Sequence, residues 1–403
     1  MARPEPAFWV FAGDFARTPV GSWFGGNPTG AAGASIDAEE ALVRCLGEVA
    51  ERYSALTHPV EGVVQPVDPV TMTMFPRCAA DENCSAILRG AIPEGPVTHV
   101  TMTRLACGGS LRVPAGYVHL STGTPNEPVM TTPISSGLAF DPSLTKALFR
   151  GICEVAERDA LMMTWWQRRR VPEIDLGHVA GNPPPDVSFA LAERLARVSA
   201  VSMRPRFFDI TTDFCVPTVA CVLMAPSFPY LTVGAACRDS ADAACAKALD
   251  EAVAVRLAMH GAEDFTPPSL DEFSWLHELE DHAKLYAAGY LRHAFDFLLD
   301  GGQDQIRIAE VDERRKWSIP QTAEHLQGLA EDLEQSGLTV LWTDLTAPEL
   351  CGQGYVVKVV IPQMIPLPQL HNVRWLGTQR LNGADTSSRR LSTSFNPYPH
   401  PFA

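Results

Sequence analysis

A twelve-residue segment occurs twice in this chain, and that recurrence constrains the fold more than any other feature. Ala41–Arg52 reads ALVRCLGEVAER and Ala147–Arg158 reads ALFRGICEVAER, with eight of twelve positions identical and a constant offset of 106. A third, eroded copy, ACAKALDEAVAV at Ala244–Val255, puts Glu251 where Glu48 and Glu154 stand. Repeated elements with charge at fixed places point to one architecture built by duplication.

Helical geometry says what such a segment does. At 3.6 residues per turn, Arg44, Glu48 and Glu51 share a narrow arc, with Leu42, Leu46, Val49 and Tyr53 on the other side. The second copy groups Arg150, Glu154 and Glu157 against Leu148, Ile152 and Val155. One such helix reads most simply as a solvated face with i,i+4 ion pairs, each contributing a few tenths of a kcal/mol, roughly 0.3–0.5. Two near-identical copies favour a site, because surface salt bridges do not require EVAER to recur. Four converging carboxylates would repel one another unless cations lay between them. Hard oxygen ligands favour Mg²⁺, which normally arrives with phosphates.

Composition narrows the classes. A formal charge of −15 argues against a nucleic-acid binder working by phosphate neutralisation. Ten cysteines are scattered with no CxxC, and several sit in apolar helix or strand patterns, reading as buried free thiols of a reducing compartment. The N-terminus shows no basic region followed by an apolar run, and no stretch is apolar enough to span a bilayer. The expectation is a cytoplasmic protein that engages neither membrane nor nucleic acid.

Along the chain, a Gly/Pro-rich lead-in (1–35) contains GGNPTGAAGAS. Asp37 is the expected N-cap of the first repeat helix, with Glu40 completing a capping box. Short extended runs and the loop TGTPNEP follow, and Ser143 is placed to cap the second repeat helix. GNPPPD reads as a surface turn and FALAERLARVSA as an amphipathic helix. RPRFFDIT, VPTVACVLMA and YLTVGAAC read as strands, with Ser240 capping the third repeat helix. Residues 263–320 read as peripheral and helical. A helix near 321–336 precedes the strands LTVLWTDLT and GYVVKVVIP. No composition break marks a boundary, so the chain reads as one α+β unit over 1–403: lead-in 1–35, repeated helices 36–260, peripheral helical segment 261–337, closing strands and tail 338–403.

Other chemistries lack their signals. There is no GxxxxGK[ST], no GxSxG elbow and no histidine cluster; HELEDH (277–282) has the wrong spacing for a zinc-binding HExxH.

Taken together, the ExxER repeats, TTPISSGLAFDPSLTKALFRGICEVAERDA, VGAACRDSADAACAKALDEA, GYVVKVVIP and the tail PYPHPF resemble the YcaO family in order and spacing, over nearly the whole chain. The resemblance implies a YcaO-type fold, with repeated ExxER helices packed on mixed β-sheets, and an ATP- and Mg²⁺-dependent enzyme acting on backbone amides. In the azoline-forming branch, a substrate Cys, Ser or Thr attacks the preceding carbonyl, the oxyanion is phosphorylated, and phosphate leaves a thiazoline or oxazoline. The nucleophile belongs to the substrate, so the enzyme needs positioned charge and no triad. By resemblance, Glu48, Glu51, Glu154 and Glu157 would hold Mg²⁺ and ATP. Arg52 and Arg158 would contact phosphates or order the carboxylates, and Glu251 and Arg256 would contribute from the third helix.

Pro397, Pro399 and Pro401 alternate, which favours a stiff extended end. The resemblance makes this PxPxP tail part of the catalytic apparatus and favours the azoline branch. Thioamide or macroamidine formation, or a non-catalytic subunit of a peptide-modifying complex, are the alternatives. Departures from the family pattern fall at Ala34 in place of a loop lysine, Arg44 for serine, Lys146 for an acidic residue and Ala254 for glutamine. With the family core starting almost at residue 1, the expected partners are a precursor peptide and a separate leader-binding protein of E1-like or winged-helix type. A homodimer is compatible with the same reading.

Overall fold

GAAGAS has too little β-branched character to announce a strand, yet it forms one. The computed structural model describes residues 5–15, 30–120, 127–132, 134–177, 184–300, 304–382 and 394–402. The GGNPT segment, most of TGTPNEP and the start of GNPPPD lie outside them. Strand β1 (Trp9–Asp14) pairs antiparallel with β2 (Gly30–Ser35), Phe11 opposite Gly33, and helix α1 (Ala38–Thr57) lies across this hairpin. The small residues have a steric cause. A Cβ on Gly33 would stand 2.1 Å from the Ala41 carbonyl and 2.5 Å from the Cys45 nitrogen. The lead-in expected from sequence is therefore a structural layer.

The second sheet runs β3 (Val63–Gln65), β4 (Val97–Arg104), β12 (Leu341–Asp344), β13 (Tyr355–Val360), β6 (Leu138–Asp141), with β5 (Ser110–Pro114) also paired to β4. Helix α2 (Leu144–Gln167) packs on it where Gly151 meets Val359. The third sheet runs β10 (Leu231–Cys237), β9 (Thr218–Met224), β8 (Arg204–Asp209), β7 (Glu173–Asp175), β11 (Gln305–Arg307). Its pairs are antiparallel except β7–β11. Helices α3 (Phe189–Ser199) and α4 (Ala241–Ala258) bury an apolar layer against it.

The α4–β10 contact repeats the α1–β2 contact. A Cβ on Gly234 would lie 2.2 Å from the Ala248 carbonyl and 2.5 Å from the Ala252 nitrogen, beside Glu251. In this packing Glu251 corresponds to Arg44, one helical turn from the match with Glu48 that carboxylate alignment gives.

The caps follow the sequence in part. Asp37 accepts from the Glu40 nitrogen (2.8 Å) and Ser240 from that of Ala243 (3.2 Å). Glu40 does not close a capping box, because its carboxylate is held by Ser35, Arg44 and Arg194. Ser143 occupies the N-cap position of α2 without a side-chain bond.

Two expectations are corrected. Leu42, Val43 and Leu46 are 40%, 61% and 57% exposed, while Ala41 and Cys45 are buried and the Arg44/Glu48/Glu51 face turns inward. The hairpin crosses α1 at its small residues and α4 faces its charged side, so the large aliphatics are left outside. Residues 263–320 are likewise not peripheral. Helix α5 (Leu279–Ala287) ends near Gly289, whose φ is +81°, and a 3₁₀ turn at Arg292–Phe295 follows. Leu285, Tyr286 and Phe295 are fully buried against Trp165 and Trp166 of α2. Helix α6 (Ala323–Gln335) packs against the first half of α2, in a separate apolar cluster with Leu148, Ile152 and Ala156.

Candidate active site

Each of the three sheets offers an outer strand to the centre of the molecule, and glutamates from α1 and α2 cap those edges. The Ala32 N–H on β2 donates to Glu48 Oε2 (2.8 Å). The Phe140 N–H on β6 donates to Glu51 Oε1 (2.8 Å), and the Cys237 N–H at the end of β10 donates to Glu157 Oε2 (3.1 Å). Backbone donors thus orient three carboxylates, leaving further oxygen lone pairs for other partners.

Glu154 and Glu251 complete the group. Glu51 feels the charges of Glu154 and Glu48, and Glu154 those of Glu48 and Glu251, so the acidic side chains of α1, α2 and α4 do share one space. Burial, reinforced by Glu154 and Glu48, holds the Glu51 carboxyl well above the usual range. Burial also raises Glu154, although Arg158 and Lys358 oppose it. Glu157 is raised to about 7 by burial, with Glu251 adding and Arg158 opposing. At Glu251, burial is outweighed by Lys247 (3.0 Å away) and Arg158, which bring it below the usual value. A cation placed among clustered, backbone-pinned carboxylates with raised pKa values would relieve their mutual repulsion.

Cations thread the cluster. Arg52 pairs with Glu48 (2.7 Å), while Arg158 stands 3.6 Å from Glu157 and 4.0 Å from Glu154. Arg158 is coupled to Glu157, Glu154, Glu251 and Glu48 together, which makes it the central positive charge.

Arg256 is not brought here. It is 1% exposed, forks onto Glu5 (2.7 and 2.9 Å) and donates to the Phe228 and Pro229 carbonyls. Arg44 is also committed elsewhere: it binds Asp250 (2.6 Å), Glu40 (2.6 Å) and the Ala34 carbonyl (2.6 Å), and Arg194 grips the other side of Asp250 (2.7 Å). That network ties α1, α3 and α4 together. Lys146 is exposed on the first turn of α2, and Ala254 is half-buried.

The tail is docked on α2 and α5. The Asn396 N–H donates to the Trp166 carbonyl (2.8 Å), and Trp165 Nε1 donates to the Tyr398 carbonyl (3.1 Å). Tyr286 donates its hydroxyl proton to the Pro399 carbonyl. Pro397 is exposed, Pro399 and Pro401 are buried, and His400 between them is within electrostatic reach of Arg158. Sequence reasoning missed His282, His400 and Lys358 as neighbours of this region. The only available signals were a histidine between the tail prolines and a lysine inside an apolar strand run.

A protein-family model described as YcaO cyclodehydratase, ATP- and Mg²⁺-binding, matches residues 32–365. The chain belongs to the YcaO family. Solved structures with the same fold include a heterocyclase in complex with substrate and cofactor (TM-score 0.66, 18% identity), covering 84% of this chain. This chain spans 45% of that heterocyclase's length. The YcaO protein from Methanopyrus kandleri bound with AMPPCP and Mg²⁺ has a TM-score of 0.58 and 20% identity, over 83% of this chain and 79% of that one. The E. coli microcin synthetase McbBCD complex with pro-MccB17 bound gives 0.63 and 14%, over 92% and 90%.

YcaO membership places the chain in a class of ATP- and Mg²⁺-dependent enzymes. Its donor set fits that chemistry: all-oxygen, multiply charged and electrostatically frustrated. Among the described residues no three His, Cys, Asp or Glu side chains already stand in metal-holding geometry. Carboxylate oxygens of this kind suit an ion that keeps water and phosphate ligands, as Mg²⁺ does.

Proposed function

We propose that this YcaO protein is an ATP- and Mg²⁺-dependent cyclodehydratase that converts Cys, Ser or Thr of a ribosomally made precursor peptide to thiazoline or oxazoline. The reading rests above all on the meeting of Glu48, Glu51, Glu154, Glu157 and Glu251 around Arg158 where three sheet edges converge.

In this reading Glu48, Glu51, Glu154 and Glu157 hold Mg²⁺, and Arg52, Arg158 and Glu251 complete the nucleotide site. When bound, Mg²⁺–ATP supplies the phosphoryl group that carries away the carbonyl oxygen. The chain's contribution is positional and electrostatic: backbone N–H groups fix the carboxylates in advance, and Arg158 offers positive charge at their centre. The net reaction consumes ATP and releases ADP and phosphate, and the peptide loses one water per ring. The docked tail, with Pro399 and Pro401 buried between α2 and α5, supports a role for Pro397–Pro401 in shaping the peptide side of the site.

A separate leader-binding protein presents the precursor in this scheme, as befits a chain whose fold resembles part of the McbBCD complex. A homodimer fits the same scheme. Ten free cysteines suit the cytoplasm. Among the described residues no helix is long and apolar enough to cross a membrane.

The test is a reconstitution with precursor, partner, ATP and Mg²⁺, followed by mass spectrometry. A loss of about 18 Da per ring, abolished in Glu154→Gln, is expected for water elimination. Sulfur incorporation, or an unchanged peptide beside a functional partner, overturns the azoline reading.

A further inference from the structure

Lys358 lies on β13, 3% exposed, on the strand face shared by Val356 and Val360. That face belongs to an apolar layer with Leu138, Leu341 and Val356. Its Nζ donates to the Ile134 carbonyl (3.0 Å) and the Ser136 carbonyl (2.7 Å). The titratable groups within reach are Glu154, on α2, and His119, which burial keeps neutral and whose Nδ1 is buried without a hydrogen-bond partner. An ammonium here is expensive, because burying a charge is unfavourable unless it is compensated. Two neutral carbonyls need only a neutral donor, and a methyl-terminated side chain would suit the surrounding layer. The opposite charge answering this ammonium is Glu154.

The carbonyls it binds are also placed tellingly. Ile134 and Ser136 lead through Gly137 (φ +83°) into β6, and a Cβ on Gly137 would stand 2.1 Å from the Val359 carbonyl, so this segment lies tight against β13. Three residues beyond Gly137, the Phe140 N–H pins Glu51. One side chain therefore bears on carboxylates from two helices: on Glu154 through its charge, and by way of the Ser136 carbonyl and β6 on Glu51.

We infer that Lys358 is a positioning residue of the nucleotide site, holding the Ile134–Ser136 segment to β13 and keeping Glu154 and Glu51 in their shared arrangement. The role in nucleotide binding rests on the function proposed above, whereas the hold on the segment does not.

The experiment compares the wild-type chain with Lys358→Met and Lys358→Arg, using two readouts. The first is hydrogen–deuterium exchange of the free protein. Peptides covering 134–141 should exchange at least tenfold faster in Lys358→Met and within twofold of wild type in Lys358→Arg, with β8–β10 unchanged in both. The second is the Mg²⁺ concentration giving half-maximal binding of a fluorescent ATP analogue, which should rise at least fivefold in Lys358→Met and be restored by Lys358→Arg. Wild-type exchange and wild-type Mg²⁺ dependence in Lys358→Met overturn the inference, as does accelerated exchange spread evenly over all three sheets. If Lys358→Met does not fold, Lys358→Gln carries the same comparison. A wild-type chain that binds no Mg²⁺–nucleotide sinks the proposed function, and the exchange readout still decides the hold of Lys358 on residues 134–136.

Discussion

His282 of α5 and His400 of the tail stack ring on ring, with centroids 4.1 Å apart and planes 19° from parallel. Neither ring is exposed. His282 Nδ1 lies 3.2 Å from the His400 carbonyl, and His400 Nε2 lies 2.7 Å from that of Pro368. The pair joins a terminal segment without periodicity to a helix whose sequence pattern suggests a place at the periphery.

This pairing makes the tail acid-sensitive. Burial pulls His282 down to about 4, against the pull of the two carbonyls its ring nitrogens face. Burial and the neighbouring His282 also hold His400 well below its usual range. A depressed histidine pKa favours the neutral ring in the folded state. The stabilisation is fully present above the unfolded value, about 6.5, and is lost as pH falls toward 4. For His282 alone the loss is on the order of 3 kcal/mol. Thermal unfolding from pH 7.5 to 4 should show it, and His282→Gln should flatten the descent relative to wild type. An identical slope in both proteins would count against the pairing.

Arg256 separates a structural arginine from those proposed to bind nucleotide. Replacing it with methionine leaves Glu5 with only His260 beside it and two backbone carbonyls without their donor, and should destabilise the chain by roughly 3 kcal/mol. Nucleotide affinity of the folded protein should stay within twofold of wild type. Urea unfolding and nucleotide titration on the same sample check both halves.

How far the sequence carries can be judged from particular residues. The EVAER copies identified the carboxylates of α1 and α2, because i,i+3 and i,i+4 spacing places them together whatever they face. Which side of α1 is inward was not legible. Leu42 and Leu46 satisfy an apolar-face rule, but the hairpin needs small residues at the crossing and selects Ala41 and Cys45 instead. The β9–β10 strands were readable from their unbroken apolar runs. The β1–β2 hairpin was not, since Gly and Ala there answer to a helix backbone that sequence patterns do not display. Arg256 failed for a related reason: its partner Glu5 lies at the opposite end of the chain, and no local spacing announces that contact.

The two strand glycines under the helices should be intolerant. A methyl at Gly33 or Gly234 would meet backbone at 2.1 or 2.2 Å, where no side chain can swing away. Gly33→Ala and Gly234→Ala should each cost at least about 1–3 kcal/mol of overpacking. A methyl on Gly95 would meet nothing within 4 Å, and Gly95→Ala should stay within about 0.5 kcal/mol of wild type. Urea midpoints of the three variants test this. Equal midpoints would mean that the helices do not lie as close to β2 and β10 as described.

Glu157→Gln should separate stability from function. Glu157 is almost fully buried and raised to about 7 by burial, with Glu251 and Glu154 adding to the rise. A raised carboxyl pKa means that the folded state prefers the proton. The associated stability is present below the unfolded value near 4.5 and declines as pH rises through about 7. Glutamine removes that ionisation and keeps a carbonyl oxygen for the Cys237 N–H. The free variant should therefore be more stable than wild type at pH 8, by about 1–3 kcal/mol, with the difference vanishing below about pH 4.5. The same substitution removes a negative oxygen from the proposed Mg²⁺ site, so Mg²⁺-dependent nucleotide affinity should fall at least tenfold. A chain that gains thermal stability while losing its nucleotide is the signature of carboxylates held together against their mutual repulsion for a cation. Loss of both together would instead make Glu157 a structural carboxylate serving the end of β10.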